Sequence, residues 1–316
     1  MKIVFLDEYS VCGLDLSRIK AMGEYIGYET TSPSEVLERV KDAEVVITNK
    51  VVLDAPTIAQ LPNLKLICVA ATGMNNVDLV AAAEHGVLVR NAIGYSTESV
   101  AEATIGSALA LLREVAYYND FFHAGYYSAS ERIFNFDRPT AQISGKRWGI
   151  IGMGNIGRRV AKLAEAFGCE VNYYSTSGIT RDESYKSVSL SDLLSKSDII
   201  SLHCPLNEKT NNLITLRELQ EMKQSAILVN VARGGIVNEA DLAEALNQGV
   251  IRGAALDVFS SEPLRESPLY SVKDRYRLLC SPHNAWSSVE AITRLIECIA
   301  QNIEDYAKQR QEQATA

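Results

Sequence analysis

The stretch Trp148-Gly149-Ile150-Ile151-Gly152-Met153-Gly154-Asn155-Ile156-Gly157 decides the fold of this 316-residue chain. Its first four residues are typical of a buried strand, and a helical pattern begins directly after its last glycine. A dinucleotide-binding fingerprint needs this context, because Gly152 permits a tight turn and Gly154 lets the backbone approach a pyrophosphate. Gly157 lets the helix pack closely on the strand, and the helix N-terminus then faces the anion. The stretch therefore predicts a dinucleotide site, with Asn155 and Ile156 in the same turn.

The position that usually binds the adenosine ribose lacks its carboxylate. Such folds place an acidic residue about 20 residues after the glycines, and this chain has Ser175 there. A missing carboxylate removes repulsion against a 2′-phosphate, which the hydroxyls of residues 175–177 and the guanidinium of Arg181 are suited to bind. The same serines are equally suited to the ribose of NAD, and no arginine follows Ser175 directly. The predicted cofactor is NAD or NADP, and the choice stays open.

Short apolar runs alternate with helical stretches on both sides of the fingerprint, a rhythm typical of parallel α/β units. The strand-like runs before the fingerprint lie at residues 2–7, 45–49 and 64–70, and those after it at 170–174, 198–203, 226–231, 254–258 and 278–280. The apolar positions between residues 105 and 116 predict one long amphipathic helix that begins at Ala101. We therefore expect an α/β protein with two series of parallel strands.

Composition and charge limit the class of protein. A hydrophobic fraction of 47% is that of a globular protein, and a net charge of -8 without Lys/Arg blocks argues against nucleic acid or an anionic membrane as the main partner. The six cysteines lack CxxC spacing, which favours reduced thiols over disulfides and gives no support to a metal site. Met1 leads directly into a strand pattern with no signal peptide, and no run approaches the roughly 20 apolar residues of a membrane-spanning helix. We expect a cytoplasmic protein without a metal.

Polar residues lie at or directly after the ends of four successive strands of the second series, at the edge where open parallel sheets bind ligands. They are His203, Arg233, Asp257 and His283. Arg233 offers a bidentate cation, which suits a substrate carboxylate and polarises an adjacent carbonyl. His283 has a candidate carboxylate partner, Glu262, on the preceding loop. A hydrogen-bonded carboxylate orients the ring and favours its protonated form, so the pair suits a general acid for ketone reduction and a base for alcohol oxidation.

Four blocks of the sequence resemble the D-isomer-specific 2-hydroxyacid dehydrogenase family, and the likeness extends over nearly the whole chain. The blocks are residues 152–157, 228–235, 255–263 and 281–286. The resemblance implies that the protein transfers a hydride between a nicotinamide dinucleotide and a D-2-hydroxy acid or its 2-keto partner. It also implies that Arg233 binds and polarises the substrate, that His283 is the general acid/base, and that Glu262 pairs with His283.

The same resemblance assigns the cofactor contacts and the domains. Asp257 becomes a partner of the nicotinamide carboxamide, while Pro205, Thr210 and Ala232 line the cofactor cleft. In domain terms, residues 99–285 form the dinucleotide-binding Rossmann domain. A second Rossmann-like domain, the substrate domain, comprises residues 1–98 and is completed by 286–316, so it is discontinuous in sequence.

A loop of the first series is similar to the one that binds the substrate carboxylate through backbone N–H groups. It comprises residues 71–74, in which Thr72 and Gly73 are the candidate contacts, and an ordinary strand-ending turn is the alternative. The block 70–78 and Ser175 look closest to the glycerate dehydrogenase or hydroxypyruvate reductase branch, which implies a glycerate/hydroxypyruvate or glyoxylate-type substrate. Glu262 disfavours the formate dehydrogenase branch, which uses an amide. The alternative function is an NAD(H)-responsive, corepressor-like binding protein of the same fold with vestigial catalysis.

The segment from Tyr117 to Phe136 holds eight of the chain's 23 Phe, Tyr and Trp residues. This density is more than one domain surface normally exposes. We expect the segment to bury against a second copy, and by resemblance the family forms homodimers through this part of the cofactor domain. An intrachain core is the alternative.

Overall fold

The computed structural model describes residues 1–179 and 184–315 and divides into two compact units. The first unit comprises residues 1–96 together with 287–316, and the second comprises residues 97–286. Arg181, a candidate phosphate ligand, lies outside the described residues. The assignment of a substrate domain and a dinucleotide domain to these units stays a prediction.

A parallel sheet forms the centre of the first unit. Its strands are β1 (Lys2–Phe5), β2 (Glu24–Gly27), β3 (Val45–Thr48), β4 (Leu66–Val69) and β5 (Leu88–Asn91). They pair in the order β2-β1-β3-β4-β5. Every residue of β3 and β4 is buried, as expected for central strands covered on both faces.

The second unit contains the larger parallel sheet. Its strands are β6 (Arg147–Ile151), β7 (Glu170–Tyr174), β8 (Lys186–Ser187), β9 (Ile199–Leu202), β10 (Ile227–Asn230), β11 (Gly253–Leu256) and β12 (Leu278–Cys280). They pair in the order β12-β11-β10-β9-β6-β7-β8. The strand order reverses between β6 and β9, and such a switch point opens a crevice at the carboxyl ends of the strands. Two parallel sheets confirm the predicted α/β fold class.

Helices connect the strands in both units. In chain order they are α1 (Ser17–Lys20), α2 (Val36–Val40), α3 (Ala55–Ile58), α4 (Leu79–Glu84), α5 (Thr97–Leu112), α6 (Val115–His123), α7 (Asn155–Ala166), α8 (Leu190–Lys196), α9 (Leu216–Glu221), α10 (Glu239–Gln248) and α11 (Val289–Thr315). In the first unit α11 packs on β4, and the Tyr306 hydroxyl donates to Glu44 Oε1 at 2.8 Å. No helix in the described part of the chain is both long and apolar enough to cross a membrane.

The sheet of the second unit has a hydrophobic core on each face. Helices α5 and α7 form one core with the fully buried Trp148 and with Ile150. Helices α8, α9 and α10 form the other with Ile151 and Leu228. Ile150 and Ile151 enter opposite cores because successive side chains of a strand alternate between faces. This αβα sandwich fixes β6, and with it the glycine-rich turn at its end.

The predicted long helix from Ala101 is wrong in two respects, because the helix begins at Thr97 and it breaks after Leu112. Glu114 has a left-handed backbone with φ of 54°, and a new helix begins at Val115. The Glu114 carboxylate accepts hydrogen bonds from Arg138 and Arg252, each at 3.0 Å. These distant partners stabilise a conformation that helical periodicity does not show.

Candidate active site

The glycine-rich turn joins β6 to α7 as the fingerprint requires. Gly152 has φ of +98°, and a Cβ on it would lie 2.7 Å from the backbone nitrogen of Cys204. A Cβ on Gly157 would lie 2.3 Å from the Gly152 carbonyl oxygen, whereas one on Gly154 would meet no atom within 4 Å. The first and third glycines therefore serve close packing, and the second leaves open space above the turn.

The N-terminus of α7 borders this open space. Gly154 is the N-cap residue and has no side chain to accept from the first N–H groups of the helix, in whose first turn Asn155 and Ile156 lie. Unpaired N–H groups at a helix N-terminus suit an anionic ligand. The turn thus fits the pyrophosphate of a dinucleotide.

A cleft of about 630 Å³ lies beside the turn, within the second unit. Its walls include the segments 152–154, 175–177 and 203–205, so it gathers the predicted cofactor residues Gly152, Gly154, Ser175 and Pro205. The Ser175 hydroxyl donates to the carbonyl oxygen of Ile179 at 2.7 Å, which holds the loop after β7. The cleft has the shape and the polar groups that a dinucleotide needs.

The loop after β9 is held from inside by Thr210. This residue is fully buried, and its hydroxyl donates to the Pro205 carbonyl oxygen at 2.6 Å and accepts from the Asn207 N–H at 2.8 Å. The structure therefore gives Thr210 a supporting position behind Pro205. Its direct contact with the cofactor stays a prediction.

Arg233 follows β10 and is exposed. Its Nη1 donates to the carbonyl oxygen of the buried Ala232 at 2.7 Å, and its own carbonyl accepts from the Asn230 side chain at 3.0 Å. A Cβ on Gly234 would lie 1.8 Å from the Phe259 carbonyl oxygen, so only glycine permits this close approach of the two loops. Within residues 1–179 and 184–315 no carboxylate forms an ion pair with Arg233. Its cation is available to a ligand.

His283 and Glu262 are in direct contact. The His283 Nδ1 lies 2.6 Å from Glu262 Oε2, and Glu262 Oε1 accepts the backbone N–H of Phe259 at 3.0 Å. Since the carboxylate accepts from Nδ1, the Nε2 atom is the one left for proton exchange with a substrate. His283 has a left-handed backbone with φ of 52°, and its N–H donates to the Asp257 carbonyl oxygen at 2.8 Å. The predicted pair thus lies at the carboxyl edge of the sheet, after β12.

Asp257 anchors the histidine loop, a role that sequence reasoning missed. Its buried carboxylate accepts from the Ser281 hydroxyl at 2.6 Å and from the backbone N–H groups of Asn284 and Ala285, each at 3.0 Å. These bonds fix the segment that carries His283. In the sequence, Ser281, which lies two residues before His283, was the residue that could have indicated this role of Asp257. The predicted contact of Asp257 with a nicotinamide carboxamide stays a prediction.

In the first unit, Thr72 lies in the loop after β4. Its hydroxyl donates to the Ala92 carbonyl oxygen at 3.1 Å, and its own carbonyl accepts from the Asn91 side chain at 2.6 Å. Both bonds leave the backbone N–H groups of Thr72 and Gly73 for another partner. The structure is therefore compatible with the predicted carboxylate loop.

A buried carboxylate, which sequence reasoning also missed, supports the edge of the first sheet. Asp7 accepts the backbone N–H groups of Asn49 at 2.8 Å and of Lys50 at 2.6 Å. The Asn49 side chain in turn donates to the carbonyl oxygen of Ala70 at 2.6 Å, directly before the Thr72 loop. Burial raises the pKa of Asp7 against the lowering effect of these N–H groups. Asp7 and Asn49 together connect the ends of β1, β3 and β4.

Comparison with known proteins decides the family. Residues 105–285 match the family model described as D-isomer specific 2-hydroxyacid dehydrogenase, NAD binding domain. The chain belongs to the D-isomer specific 2-hydroxyacid dehydrogenase family. It is therefore an oxidoreductase, and its cofactor is a nicotinamide dinucleotide.

Curated relatives match nearly the full length of this dehydrogenase. A putative 2-hydroxyacid dehydrogenase of Haemophilus influenzae is 40% identical, covering 98% of this chain and 99% of the relative. A glycerate dehydrogenase of Methylorubrum extorquens is 39% identical, covering 96% of each chain. A hydroxypyruvate reductase of Blautia hydrogenotrophica is 36% identical, covering 98% of this chain and 97% of the relative. The predicted closeness to the glycerate dehydrogenase or hydroxypyruvate reductase branch is confirmed.

Solved structures of similar proteins contain both forms of the coenzyme. An acyclic imino acid reductase in complex with NADPH and D-Arg has a TM-score of 0.84 at 26% identity, covering 98% of each chain. A D-lactate dehydrogenase of Aquifex aeolicus complexed with NAD and lactic acid has a TM-score of 0.83 at 25% identity, covering 99% of this chain and 97% of the other. In the described part of this dehydrogenase, no group of His, Cys, Asp or Glu side chains is arranged to hold a metal.

Proposed function

We propose that this dehydrogenase interconverts a D-2-hydroxy acid and its 2-keto acid, with glycerate/hydroxypyruvate or a glyoxylate-type acid as substrate. The observation that carries the proposal is the contact of His283 with Glu262 at the sheet edge that also bears Arg233 and the glycine-rich turn. The names of two relatives, a glycerate dehydrogenase and a hydroxypyruvate reductase, support the substrate class.

In this proposal three side chains carry the chemistry. A bound nicotinamide supplies the hydride to the keto acid or accepts it from the hydroxy acid. Arg233 binds the substrate carboxylate and polarises the carbonyl. His283 donates a proton from Nε2 to the carbonyl oxygen during reduction and removes it during oxidation. Glu262 holds the Nδ1 proton, so it fixes the ring orientation and stabilises the imidazolium.

The proposed coenzyme contacts are those of the glycine-rich turn and of the strand ends. The turn residues Gly152, Gly154, Asn155, Ile156 and Gly157 would hold the pyrophosphate, and Ser175 a ribose. Further contacts are proposed for Pro205, Thr210, Ala232 and Asp257. In the first unit we propose that the N–H groups of Thr72 and Gly73 bind the substrate carboxylate. Ser175 carries no charge that would repel a 2′-phosphate, so NAD and NADP both fit the proposal.

A steady-state assay tests the function and the coenzyme together. NADH and NADPH are each mixed with hydroxypyruvate, glyoxylate and phenylpyruvate, and nicotinamide fluorescence is followed. We expect oxidation of at least one coenzyme with hydroxypyruvate or glyoxylate, and less with the bulky phenylpyruvate. Coenzyme binding without turnover of any acid would contradict the proposal and favour a corepressor-like protein.

We propose further that the protein is a cytoplasmic homodimer. The aromatic segment of the second unit, residues 117–136, leaves Phe122, Tyr126, Phe134 and Phe136 largely exposed, which supports a protein partner on this surface. All six cysteines are free thiols, as expected in a reducing compartment. The net charge of -8 supports the absence of a nucleic-acid or membrane partner.

A further inference from the structure

Glu239 is the first residue of α10, and its partly buried side chain reaches the loop that carries Glu262. Its Oε1 accepts the backbone N–H of Ser260 at 2.7 Å, and its Oε2 accepts from the Ser267 hydroxyl at 2.9 Å. The helix itself is capped by the preceding residue, Asn238, whose side chain accepts from the first N–H groups of α10. Both oxygens of Glu239 therefore bind the loop, and none of the roles proposed above uses this carboxylate.

These two contacts join the ends of one loop. Residues 260–267 connect the segment after β11 to the 3₁₀ turn Pro268–Ser271, and none of them lies in a helix or a strand. The far half of the loop is held by the Tyr270 hydroxyl, which donates to the Leu264 carbonyl oxygen at 2.9 Å. The half that carries Glu262 begins at Ser260, so its first residue is fastened to α10 by Glu239.

The Ser260 end of the loop is also packed against the segment that carries Arg233. A Cβ on Gly234 would lie 1.8 Å from the Phe259 carbonyl oxygen and 2.6 Å from the Ser260 nitrogen. The peptide between Phe259 and Ser260 is thus in contact with Gly234 on its oxygen side, and its N–H is bound by the carboxylate described above. Its position depends on both contacts.

The same piece of backbone positions the glutamate that pairs with the candidate general acid. The Phe259 N–H donates to Glu262 Oε1 at 3.0 Å, and Glu262 Oε2 lies 2.6 Å from His283 Nδ1. A shift of the backbone at Phe259 and Ser260 would therefore move the carboxylate of Glu262 away from the ring. A displacement of about 1 Å costs an enzyme about 100-fold in rate when it misplaces a reacting group.

We propose that Glu239 is a positioning residue, whose carboxylate closes the loop 260–267 and so holds Glu262 in contact with His283. It acts through Glu262, since its own oxygens are occupied by the two serines. The effect on turnover rests on the proposed function, because it needs His283 as the general acid/base. The effect on the contact between Glu262 and His283 does not.

Three substitutions separate the two hydrogen bonds of Glu239 from its charge. Glu239→Gln loses the charge but keeps both contacts, because its amide oxygen accepts from Ser260 and its NH₂ group donates to the Ser267 oxygen. Glu239→Asp keeps the charge, but it is one methylene shorter and cannot reach both serines. Glu239→Ala loses the charge and both contacts.

Reduction of hydroxypyruvate measures the effect on turnover. We expect Glu239→Ala and Glu239→Asp to lower kcat by about 10- to 100-fold, and Glu239→Gln to stay within about twofold of the parent. Binding of ADP-ribose should stay parent-like in all three, which also shows that each variant is folded. Glu244→Ala, at an exposed glutamate of the same helix, is the matched control and should turn over as the parent does.

A role of Glu239 in the stability of α10 would give a different pattern. The glutamine and alanine variants lose the same charge from the first turn of the helix, so an effect of that charge would appear in both alike. Equal losses of kcat in Glu239→Gln and Glu239→Ala therefore overturn the inference. Parent-like kcat in Glu239→Ala overturns it as well, and if that variant does not fold, parent-like kcat in Glu239→Asp does so.

A double-mutant cycle tests whether Glu239 acts through Glu262. In a Glu262→Ala background there is no carboxylate left to position, so we expect Glu239→Ala to lower kcat by less than about twofold further. If the full loss of about 10- to 100-fold is seen again in that background, Glu239 acts independently of Glu262 and the inference is overturned.

The Nδ1 proton of His283 gives a readout that needs neither coenzyme nor turnover. In ¹H–¹⁵N spectra of histidine-labelled protein, a proton held between Nδ1 and a carboxylate is protected from exchange with water, and its absence from His283→Gln assigns it. We expect this signal in the parent and in Glu239→Gln, and its loss in Glu239→Ala and Glu239→Asp. Its persistence in both of the latter overturns the inference. A parent without turnover overturns the proposed function, and the signal then decides the inference alone.

Discussion

His283 Nδ1 lies 2.6 Å from Glu262 Oε2, and the second oxygen of that carboxylate accepts the N–H of Phe259 at 3.0 Å. Glu262 is therefore held at both oxygens, once by the ring that it orients and once by the backbone. The backbone of His283 is held as well, because its N–H donates to the carbonyl oxygen of Asp257 at 2.8 Å. Such preorganisation restricts the position of Nε2, which the proposed proton transfer requires.

Removal of the imidazole should abolish proton transfer while leaving the coenzyme cleft intact. We expect His283→Ala to lower kcat by about 100- to 10,000-fold, the usual contribution of a positioned general acid. Binding of ADP-ribose should stay within twofold of the parent. His85→Ala is the matched control, and a His283→Ala variant with undiminished kcat would remove this residue from the mechanism.

A lysine in place of Arg233 keeps the charge but loses the bidentate geometry. Hydrogen bonds to charged groups contribute about 1.5–3 kcal/mol, so we expect Arg233→Lys to lower kcat/KM for the keto acid by about 10- to 150-fold. The reason is that a single ammonium cannot bind the carboxylate and polarise the carbonyl in the same fixed plane. Steady-state kinetics with hydroxypyruvate and glyoxylate measure this, and parent-like kcat/KM on both acids would contradict the role.

The dinucleotide turn and the strand ends were predictable because short stretches of neighbouring residues determine them. The three glycines act within six residues, and Arg233 and His283 follow apolar runs that read as strands on their own. The break between α5 and α6 was not predictable in this way. Glu114 binds arginines that lie 24 and 138 residues away in the sequence, so its left-handed conformation depends on tertiary contacts.

The residues that hold the loops of the candidate site were not predictable from the sequence for a related reason. Asp257 and Asp7 accept from the backbone N–H groups of neighbouring loops, and every residue except proline supplies such a group. Apart from Ser281, no side chain in those loops marks them as partners of the two carboxylates. Sequence reasoning therefore named candidates for contact with a ligand and missed the residues that position them.

The open space above Gly154 predicts a separation of folding from binding. A Cβ there meets nothing within 4 Å, and the φ of -86° suits alanine, so Gly154→Ala should unfold at the parent's urea midpoint within error. The added methyl group would occupy the path of the pyrophosphate, and we expect at least tenfold weaker binding of ADP-ribose. Gly106→Ala is the control for the binding measurement, because a Cβ on this helical glycine also meets no atom within 4 Å. Unchanged binding in Gly154→Ala would place the pyrophosphate elsewhere.

Burial of His203 predicts a loss of stability in acid. Its pKa falls to about 3 in the folded chain, whereas an unfolded histidine has a pKa of about 6.5. Below about pH 6.5 the unfolded state therefore binds a proton that the folded state does not, and the free energy of unfolding falls by up to about 1.4 kcal/mol per pH unit. His203→Asn lacks this term, so the stability difference between parent and variant should shrink as the pH falls from 7 to 5. Urea titrations at both values measure it, and a constant difference would contradict the burial of a neutral ring.

The aromatic segment predicts the oligomeric state. Phe134 and Phe136 are 70% and 85% exposed, and burial of a phenylalanine side chain contributes about 1.5–3 kcal/mol. If a second copy covers them, the double variant Phe134→Ser with Phe136→Ser should weaken the dimer by about 100-fold or more. Val80→Ser, at an equally exposed apolar residue of the first unit, should have no effect. Sedimentation velocity at micromolar concentration decides the matter, because a parent protein that sediments as a monomer there leaves these aromatic residues without the partner we propose.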